Sequence, residues 1–122
     1  MKDMNNILLY VDSPTDSAKF YANLLDKQPL NISPNFALFA LDSGVKLGLW
    51  SRHDVQPSAT LVGGSELGFS VDERGLVDAH YEAWKRQGLR IAQERVEMDF
   101  GYTFVALDPD GHRLRVFALN PQ

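Results

Sequence analysis

The sequence predicts an α+β fold in which two β-α-β-β-β modules share one domain, residues 1–122. The first observation is a repeat: residues 40–50 read ALDSGVKLGLW, and residues 106–117 read ALDPDGHRLRVF. The second observation is that a strand-like and then a helix-like segment precede each copy. Such repetition indicates duplication of one supersecondary unit. Each module is short and 44% of the 122 residues are hydrophobic, so we expect the modules to share a core.

The first module, residues 5–51, begins with an apolar strand. A helix follows, because Ser13 is a good N-cap and Pro14 suits the first helical position. Apolar residues keep helical spacing until Pro29, which ends the helix. The Asp-Ser-Gly turn at 42–44 predicts a hairpin between the last two strands. The predicted strands of this module cover residues 7–11, 30–33, 36–41 and 45–50.

The second module, residues 66–119, repeats this order after a connection, residues 52–65, that contains a Gly-Gly pair at 63–64. Its helix carries an apolar stripe and ends at Gly88. The Asp-Pro-Asp-Gly turn at 108–111 is typical of a tight hairpin, because Pro presets φ and Gly permits positive φ. The predicted strands of this module cover residues 66–71, 91–96, 102–107 and 113–119.

Composition excludes several classes of function. The formal net charge is −4 and no basic cluster is present, which argues against a nucleic-acid partner. The longest apolar run, Phe36–Leu41, is too short to span a membrane. There are no cysteines, so disulfides, thiolate catalysis and thiolate metal sites are excluded. The N-terminus carries no signal-peptide pattern, and we expect a cytoplasmic protein.

The duplication, an Asp-Phe-Gly motif at 99–101 and an Asp-Pro-Asp-Gly-His hairpin at 108–112 resemble the vicinal oxygen chelate superfamily. Its members include glyoxalase I, extradiol dioxygenases, fosfomycin-resistance enzymes and bleomycin-resistance proteins. The resemblance runs from about Asn6 to Leu119 and is most specific between Met98 and Phe117. It implies a curved, cup-shaped mixed sheet with the helices on its convex face and a ligand in the cup.

Metal-dependent members of that superfamily place His, Gln or Glu at four positions, two in each module. The resemblance and the internal repeat align these positions with Asn6, Gly48, Glu66 and Arg115. Gly48 has no side chain, and Arg115 is a permanent cation that would repel a metal ion. A divalent ion needs several converging oxygen or imidazole donors. We therefore expect no metal and no other cofactor.

Alternation of side chains along the strands predicts which residues line the cup. Trp50 and Phe117 occupy equivalent positions in the repeat and would flank a flat ligand, while Gly48 and Gly68 would leave space for it. Arg115 and Glu66 form an ion pair in this prediction. That pair is either a structural bridge or an anchor for a ligand carboxylate or carbonyl. The predicted ligand-binding residues are Asn6, Tyr10, Trp50, Glu66, Phe100, Tyr102, Arg115 and Phe117.

Two further groups of residues leave alternatives open. Phe100 and Tyr102 lie in a predicted loop at the mouth of the cup, where they either close over the ligand or pack on the sheet. His80 is expected in the core of the helix stripe, His112 in solvent or capping its turn, and His53 in the polar connection. No Ser, His and Asp grouping indicates nucleophilic catalysis, and no catalytic residue is predicted.

The resemblance is closest to the bleomycin-, mitomycin- and phenazine-resistance branch. It implies non-catalytic sequestration of a planar aromatic antibiotic by a homodimer, whose modules are exchanged between chains in some members, with the Gly63-Gly64 connection as a hinge. The alternative is a divergent glyoxalase-like metal-dependent lyase or dioxygenase that uses Glu66 with an atypical metal site. Glu66 in an apolar cup could also act as a base. A third class is a structural or regulatory module with a filled cup.

Overall fold

The structure is a computed structural model that describes residues 5–61 and 65–121. The chain divides into two compact units, residues 1–62 and 63–122. Unit 1 and unit 2 have the same order of elements and are described separately. Within the described residues, no helix is long and apolar enough to cross a membrane. The Gly63-Gly64 pair of the predicted hinge lies outside the described residues.

Unit 1 is a four-stranded mixed sheet, sheet A, packed against one helix. Strand β1 pairs in parallel with β4, and the remaining neighbours are antiparallel in the order β1-β4-β3-β2. The parallel pairing of β1 with β4 requires the crossover through α1. The elements are β1 (Asn6–Val11), α1 (Pro14–Leu25), β2 (Asn31–Ser33), β3 (Phe36–Ala40) and β4 (Lys46–Ser51).

Local signals fix the ends of α1. The Ser13 hydroxyl accepts a hydrogen bond from the Asp16 amide at 3.2 Å, and Pro14 occupies the first turn. The helix ends at Asp26, which adopts a left-handed conformation with φ of 52°. The face of α1 that carries Tyr21 packs against sheet A. The apolar core of this unit contains Leu9, Val11, Ala18, Tyr21, Ala37, Phe39, Leu47 and Leu49.

Unit 2 repeats this topology in sheet B. Strand β5 pairs in parallel with β8, and the strand order is β5-β8-β7-β6. The hairpin between β7 and β8 closes where the Asp108 carboxylate accepts the amides of Asp110 and His112 at 2.9 and 2.8 Å. Gly111 supplies the positive φ of 91° that this turn requires. The elements are β5 (Glu66–Ser70), α2 (Arg74–Arg86), β6 (Arg90–Met98), β7 (Gly101–Leu107) and β8 (Arg113–Leu119).

An aromatic cluster holds α2 on sheet B. Trp84 packs edge to face against Phe69 and Phe104, with ring centroids 5.7 and 5.5 Å apart, and Tyr81 does the same against Phe104 at 5.3 Å. Val77 completes the buried stripe of the helix. Edge-to-face pairs of this kind stabilise by about 0.5–1.5 kcal/mol each beyond their area burial.

The predicted α+β fold with two β-α-β-β-β modules is confirmed. Strand β6 is longer than predicted because its ladder with β7 continues through two register shifts. The prediction of a core histidine at His80 is wrong. His80 is exposed, because Val77, Tyr81 and Trp84 form the buried stripe and His80 lies at its edge, 6.4 Å from the Trp84 ring.

Candidate functional site

Each sheet has one face against its helix and one face opposite to it. We call the opposite faces face A, on sheet A, and face B, on sheet B. Strand register and side-chain alternation assign the residues of each face. Face A carries Asn6, Leu8, Tyr10, Phe36, Leu38, Ala40, Lys46, Gly48 and Trp50. Face B carries Glu66, Gly68, Ser70, Arg90, Gln93, Val96, Met98, Thr103, Val105, Leu107, Arg113, Arg115 and Phe117.

The guanidinium of Arg115 lies at the centre of face B, with its side chain only 16% exposed. Its Nε donates to Glu66 Oε2 at 3.1 Å, so the predicted ion pair is present. Its Nη1 lies 3.1 Å from Gln93 Oε1 and 3.2 Å from Thr103 Oγ1, and donates to both. The Thr103 hydroxyl in turn donates to the Val116 carbonyl at 2.8 Å. Three strands thus fix the position of one arginine of the fourth.

Apolar side chains surround this polar group. Phe100 lies in the turn between β6 and β7, with its ring centroid 5.9 Å from Arg115 Cζ. The Phe117 ring packs edge to face on Phe100 at 6.1 Å. It also covers Gly68, where an added Cβ would lie 3.3 Å from Phe117 Cε1. Face B therefore combines a fixed cation with an aromatic wall.

A concavity of about 200 Å³ opens beside Arg115. It is smaller than the roughly 300–1,000 Å³ typical of pockets that enclose a whole drug-sized ligand. Its size suits one polar substituent or the edge of a ring. The residues that line it are Ala92, Gln93, Val105, Arg113 and Arg115.

Face A is apolar and filled at its centre. A Cβ added to Gly48 would overlap Leu8 Cδ2 and lie 3.1 Å from Phe36 Cζ. The prediction that Gly48 leaves open space is therefore wrong, because Leu8 and Phe36 close over the glycine. Trp50 packs edge to face on Phe36 at 6.0 Å and is half-buried, while Tyr10 is 44% exposed.

The predicted site residues fall into three places. Four of them, Glu66, Phe100, Arg115 and Phe117, come together on and beside face B. Three lie on face A: Asn6 at the exposed start of β1, Tyr10 and Trp50. Tyr102 lies on the α2 side of sheet B, because it pairs with the buried Ala118 and donates its hydroxyl to Asp78 at 2.8 Å.

The Tyr102 hydroxyl belongs to a charged cluster between α2 and β6. Its hydrogen bond lowers the pKa of Asp78, and Arg95, 3.0 Å from the same carboxylate oxygen, lowers it further. The same bond raises the pKa of Tyr102. The Arg74 guanidinium lies 4.4 Å from the Tyr102 ring centroid. Tyr102 is thus engaged with α2 and is left out of the candidate site.

Sequence reasoning missed Gln93 and Thr103, which bind Arg115. Thr103 is fully buried although it faces away from α2. Alternation from Phe104 on β7 would have placed Thr103 on the same face as Arg115. Gln93 had no such signal, because the register shifts of β6 interrupt its alternation.

The chain matches the model of the Glyoxalase/Bleomycin resistance protein/Dioxygenase superfamily over residues 3–116. The chain belongs to this superfamily. The phenazine antibiotic resistance protein EhpR of Enterobacter agglomerans is 29% identical over 116 residues, which cover 93% of this chain and 89% of EhpR. The resemblance drawn from the sequence is therefore confirmed.

Two solved structures extend this comparison. The solution NMR structure of protein ATC0852 from Agrobacterium tumefaciens is 48% identical with a TM-score of 0.90, over 99% of this chain and 100% of that one. The crystal structure of a glyoxalase-related enzyme from Fulvimarina pelagi is 20% identical with a TM-score of 0.82, over 97% and 88% of the two chains. At that identity the second likeness supports the fold alone.

The four positions aligned with metal ligands of the superfamily do not fit a divalent ion here. Gly48 offers no donor and is covered by Leu8 and Phe36. The guanidinium of Arg115 occupies Glu66 Oε2, and Asn6 offers a single neutral amide oxygen. Within residues 5–61 and 65–121, no group of three or more His, Asp or Glu side chains is arranged to hold a metal ion.

Proposed function

We propose that this superfamily member binds a planar aromatic antibiotic and sequesters it without chemical change. The observation that carries the proposal is the arrangement on face B, where a fixed guanidinium adjoins the Phe100–Phe117 wall and a concavity. The similarity to a phenazine antibiotic resistance protein supports the ligand class. Phenazines are flat, aromatic and carry few polar atoms, which matches a site made of rings and one or two polar anchors.

The polar anchor is preorganised. The Nε and Nη1 groups of Arg115 already have acceptors, and Nη2 has no acceptor among the described residues. A ligand carbonyl or carboxylate would therefore meet a donor whose side chain is already ordered. Binding to a rigid group avoids the cost of immobilising a side chain, about 0.5–1.5 kcal/mol.

Sequestration is favoured over catalysis by the state of Glu66, the base of the alternative lyase or dioxygenase. Its carboxylate pairs with Arg115, and the pair holds the guanidinium in place. We therefore assign Glu66 a positioning role.

Face A supplies a second aromatic surface that we include in the proposal. Trp50 and Tyr10 expose ring area next to Phe36, on a face with one lysine at its edge, Lys46. Ring stacking on such a surface contributes about 0.5–1.5 kcal/mol. On face A, Trp50 and Tyr10 would contact a flat ligand that binds to this face.

The experiment is a titration of phenazine, acridine and a naphthoquinone, followed by tryptophan emission and by calorimetry. We expect saturable quenching that Trp50→Phe reduces, because the remaining Trp84 is buried beneath α2. Arg115→Met is expected to weaken binding about tenfold, the value of one charge-assisted hydrogen bond. Its effect on stability should stay near about 1 kcal/mol, since Glu66 remains 40% exposed and hydrated.

Arg86→Met on the exposed end of α2 is the matched control and should leave affinity unchanged. Absence of saturable binding to every compound would overturn the proposal. Recovery of a chemically altered ligand after incubation would overturn sequestration and favour the lyase or dioxygenase alternative. Equal affinity of wild type and Arg115→Met would remove Arg115 from the site.

A further inference from the structure

We propose that face B selects ligands that carry an aromatic carboxylate, and that Arg113 is the residue that recognises the anion. This inference rests on the proposed function and names the ligand class within it. It comes from the distribution of charge, from the partners of each arginine and from the lining of the concavity.

Charge is segregated between the two sides of sheet B. The whole chain has a formal net charge of −4, but face B carries three arginines, Arg90, Arg113 and Arg115. Among the described residues, Glu66 holds the one carboxylate on this face. The α2 side instead pairs its charges, with Arg95 on Asp78 and Arg74 on Glu97. Among the described residues, the side chains of face B therefore carry a positive formal charge, although the whole chain is acidic.

The three arginines of face B differ in their partners. Arg115 is neutralised by Glu66, and Arg90 donates from Nη2 to the Asp108 carbonyl at 3.1 Å. The guanidinium of Arg113 has no hydrogen-bond or ion-pair partner within the described part of the chain. Its backbone amide donates to the Ser65 carbonyl at 3.0 Å. Arg113 thus retains all its side-chain donors and a full positive charge.

Arg113 lies on β8 beside the concavity, so its positive charge is close to a bound ligand. Arg113 and Arg115 are two residues apart on β8, which places their Cα atoms roughly 7 Å apart with both side chains on face B. Both line the concavity together with Gln93. The free Nη2 of Arg115 and the guanidinium of Arg113 provide donors for both oxygens of one carboxylate.

The rest of the lining favours a carboxylate attached to a ring. Val105 is 2% exposed and, with Ala92, supplies the apolar part of the concavity. A volume of about 200 Å³ holds a carboxylate and one ring edge. The remaining rings of a polycyclic ligand would extend toward Phe117. A fully hydrated inorganic anion would gain nothing from Val105 or Phe117.

The test compares phenazine-1-carboxylate with phenazine-1-carboxamide, a neutral ligand of almost the same shape, and with phenazine. Calorimetry on the wild-type chain is expected to give a carboxylate affinity about tenfold above that of the carboxamide. Arg113→Gln should weaken carboxylate binding about tenfold and carboxamide binding about twofold, because it removes the charge and keeps a hydrogen-bond donor. Arg86→Gln, on α2, is the matched control and should keep the wild-type preference.

The outcomes separate this inference from the proposed function. Equal wild-type affinities for carboxylate and carboxamide overturn the carboxylate inference and leave aromatic binding intact. A preference that persists in Arg113→Gln overturns the role of Arg113. If no phenazine binds, the proposed function fails, and benzoate then tests the anion site alone by NMR of the arginine side chains. Benzoate-induced shifts that Arg113→Gln removes support the anion site, and their absence in the wild type overturns it.

Discussion

Face A and face B have the same strand topology but opposite chemistry. At equivalent positions of the repeat, face A has Gly48 where face B has Arg115. Leu8 and Phe36 close over the glycine, whereas Glu66, Gln93 and Thr103 surround the arginine. The helix-facing positions stayed apolar in both units, as at Leu47 and Leu114. The two units therefore match on the core side of each sheet and differ on the opposite side.

The divergence follows from what each central residue requires. Because glycine has no Cβ, neighbouring apolar side chains can pack directly over its backbone. An arginine whose side chain is only 16% exposed requires acceptors, and three neighbouring strands provide them. Exchange of single residues between the faces tests whether each set of neighbours is specific for its central residue.

The largest effect is expected for Gly48→Arg, which places the face B residue on face A. The new side chain would displace Leu8 and Phe36, and face A offers the guanidinium no carboxylate among the described residues. Overpacking of this kind costs about 2–3 kcal/mol, which we expect as a fall in the free energy of urea unfolding.

The control for this exchange is Ala40→Arg, at the exposed end of the same face. It adds the same charge without displacing Leu8 and should change the free energy of unfolding by less than about 0.5 kcal/mol. If both variants lose the same stability, the charge on face A is the cause and the packing over Gly48 is not.

A smaller effect is expected for Thr103→Val on face B. The substitution keeps the shape but removes the hydroxyl that joins the Val116 carbonyl to Arg115. Loss of a buried hydroxyl of this kind costs about 1–2 kcal/mol of unfolding free energy. Thr103→Ser retains the hydroxyl and should lose less unfolding free energy than Thr103→Val. Wild-type stability in Thr103→Val would show that Arg115 does not depend on this contact.

The fold could be predicted from the sequence because the residues that determine it form local motifs or recur in the repeat. Ser13 and Pro14 begin α1, the turn at 108–111 closes a hairpin, and the repeat supports each half from the other. Residues that face α1 or α2 followed from apolar periodicity. The repeat also shows that Gly48 and Arg115 occupy equivalent positions in the two modules.

The candidate site was less accessible, because it depends on which neighbours fill or hold a position. No local signal shows that Leu8 lies over Gly48, since that contact joins two strands through tertiary packing. Tyr102 was placed with Phe100 although a strand begins between them at Gly101, and alternation then turns Tyr102 toward α2. The residue at which a strand begins decides which face of the sheet each side chain occupies. Strand boundaries are also the least certain part of a sequence-based assignment.

The smallest effect is expected for one carboxylate in each unit, Asp78 in unit 2 and Asp12 in unit 1. The pKa of Asp78 is lowered first by its hydrogen bond from Tyr102, and that of Asp12 first by its hydrogen bond with His53. A lowered folded-state pKa means that the ionised carboxylate stabilises the fold at pH values above the ordinary pKa of 3.8. This stability is lost as pH falls through the folded-state pKa.

Asp78 is about half exposed, so we expect the advantage of wild type over Asp78→Asn to be about 0.5 kcal/mol or less at pH 6. Urea unfolding should show this advantage unchanged between about pH 7 and 5 and shrinking below about pH 4. Asp12→Asn should show the same direction in unit 1, and an advantage of wild type that grows below pH 4 would contradict the assignment for either carboxylate.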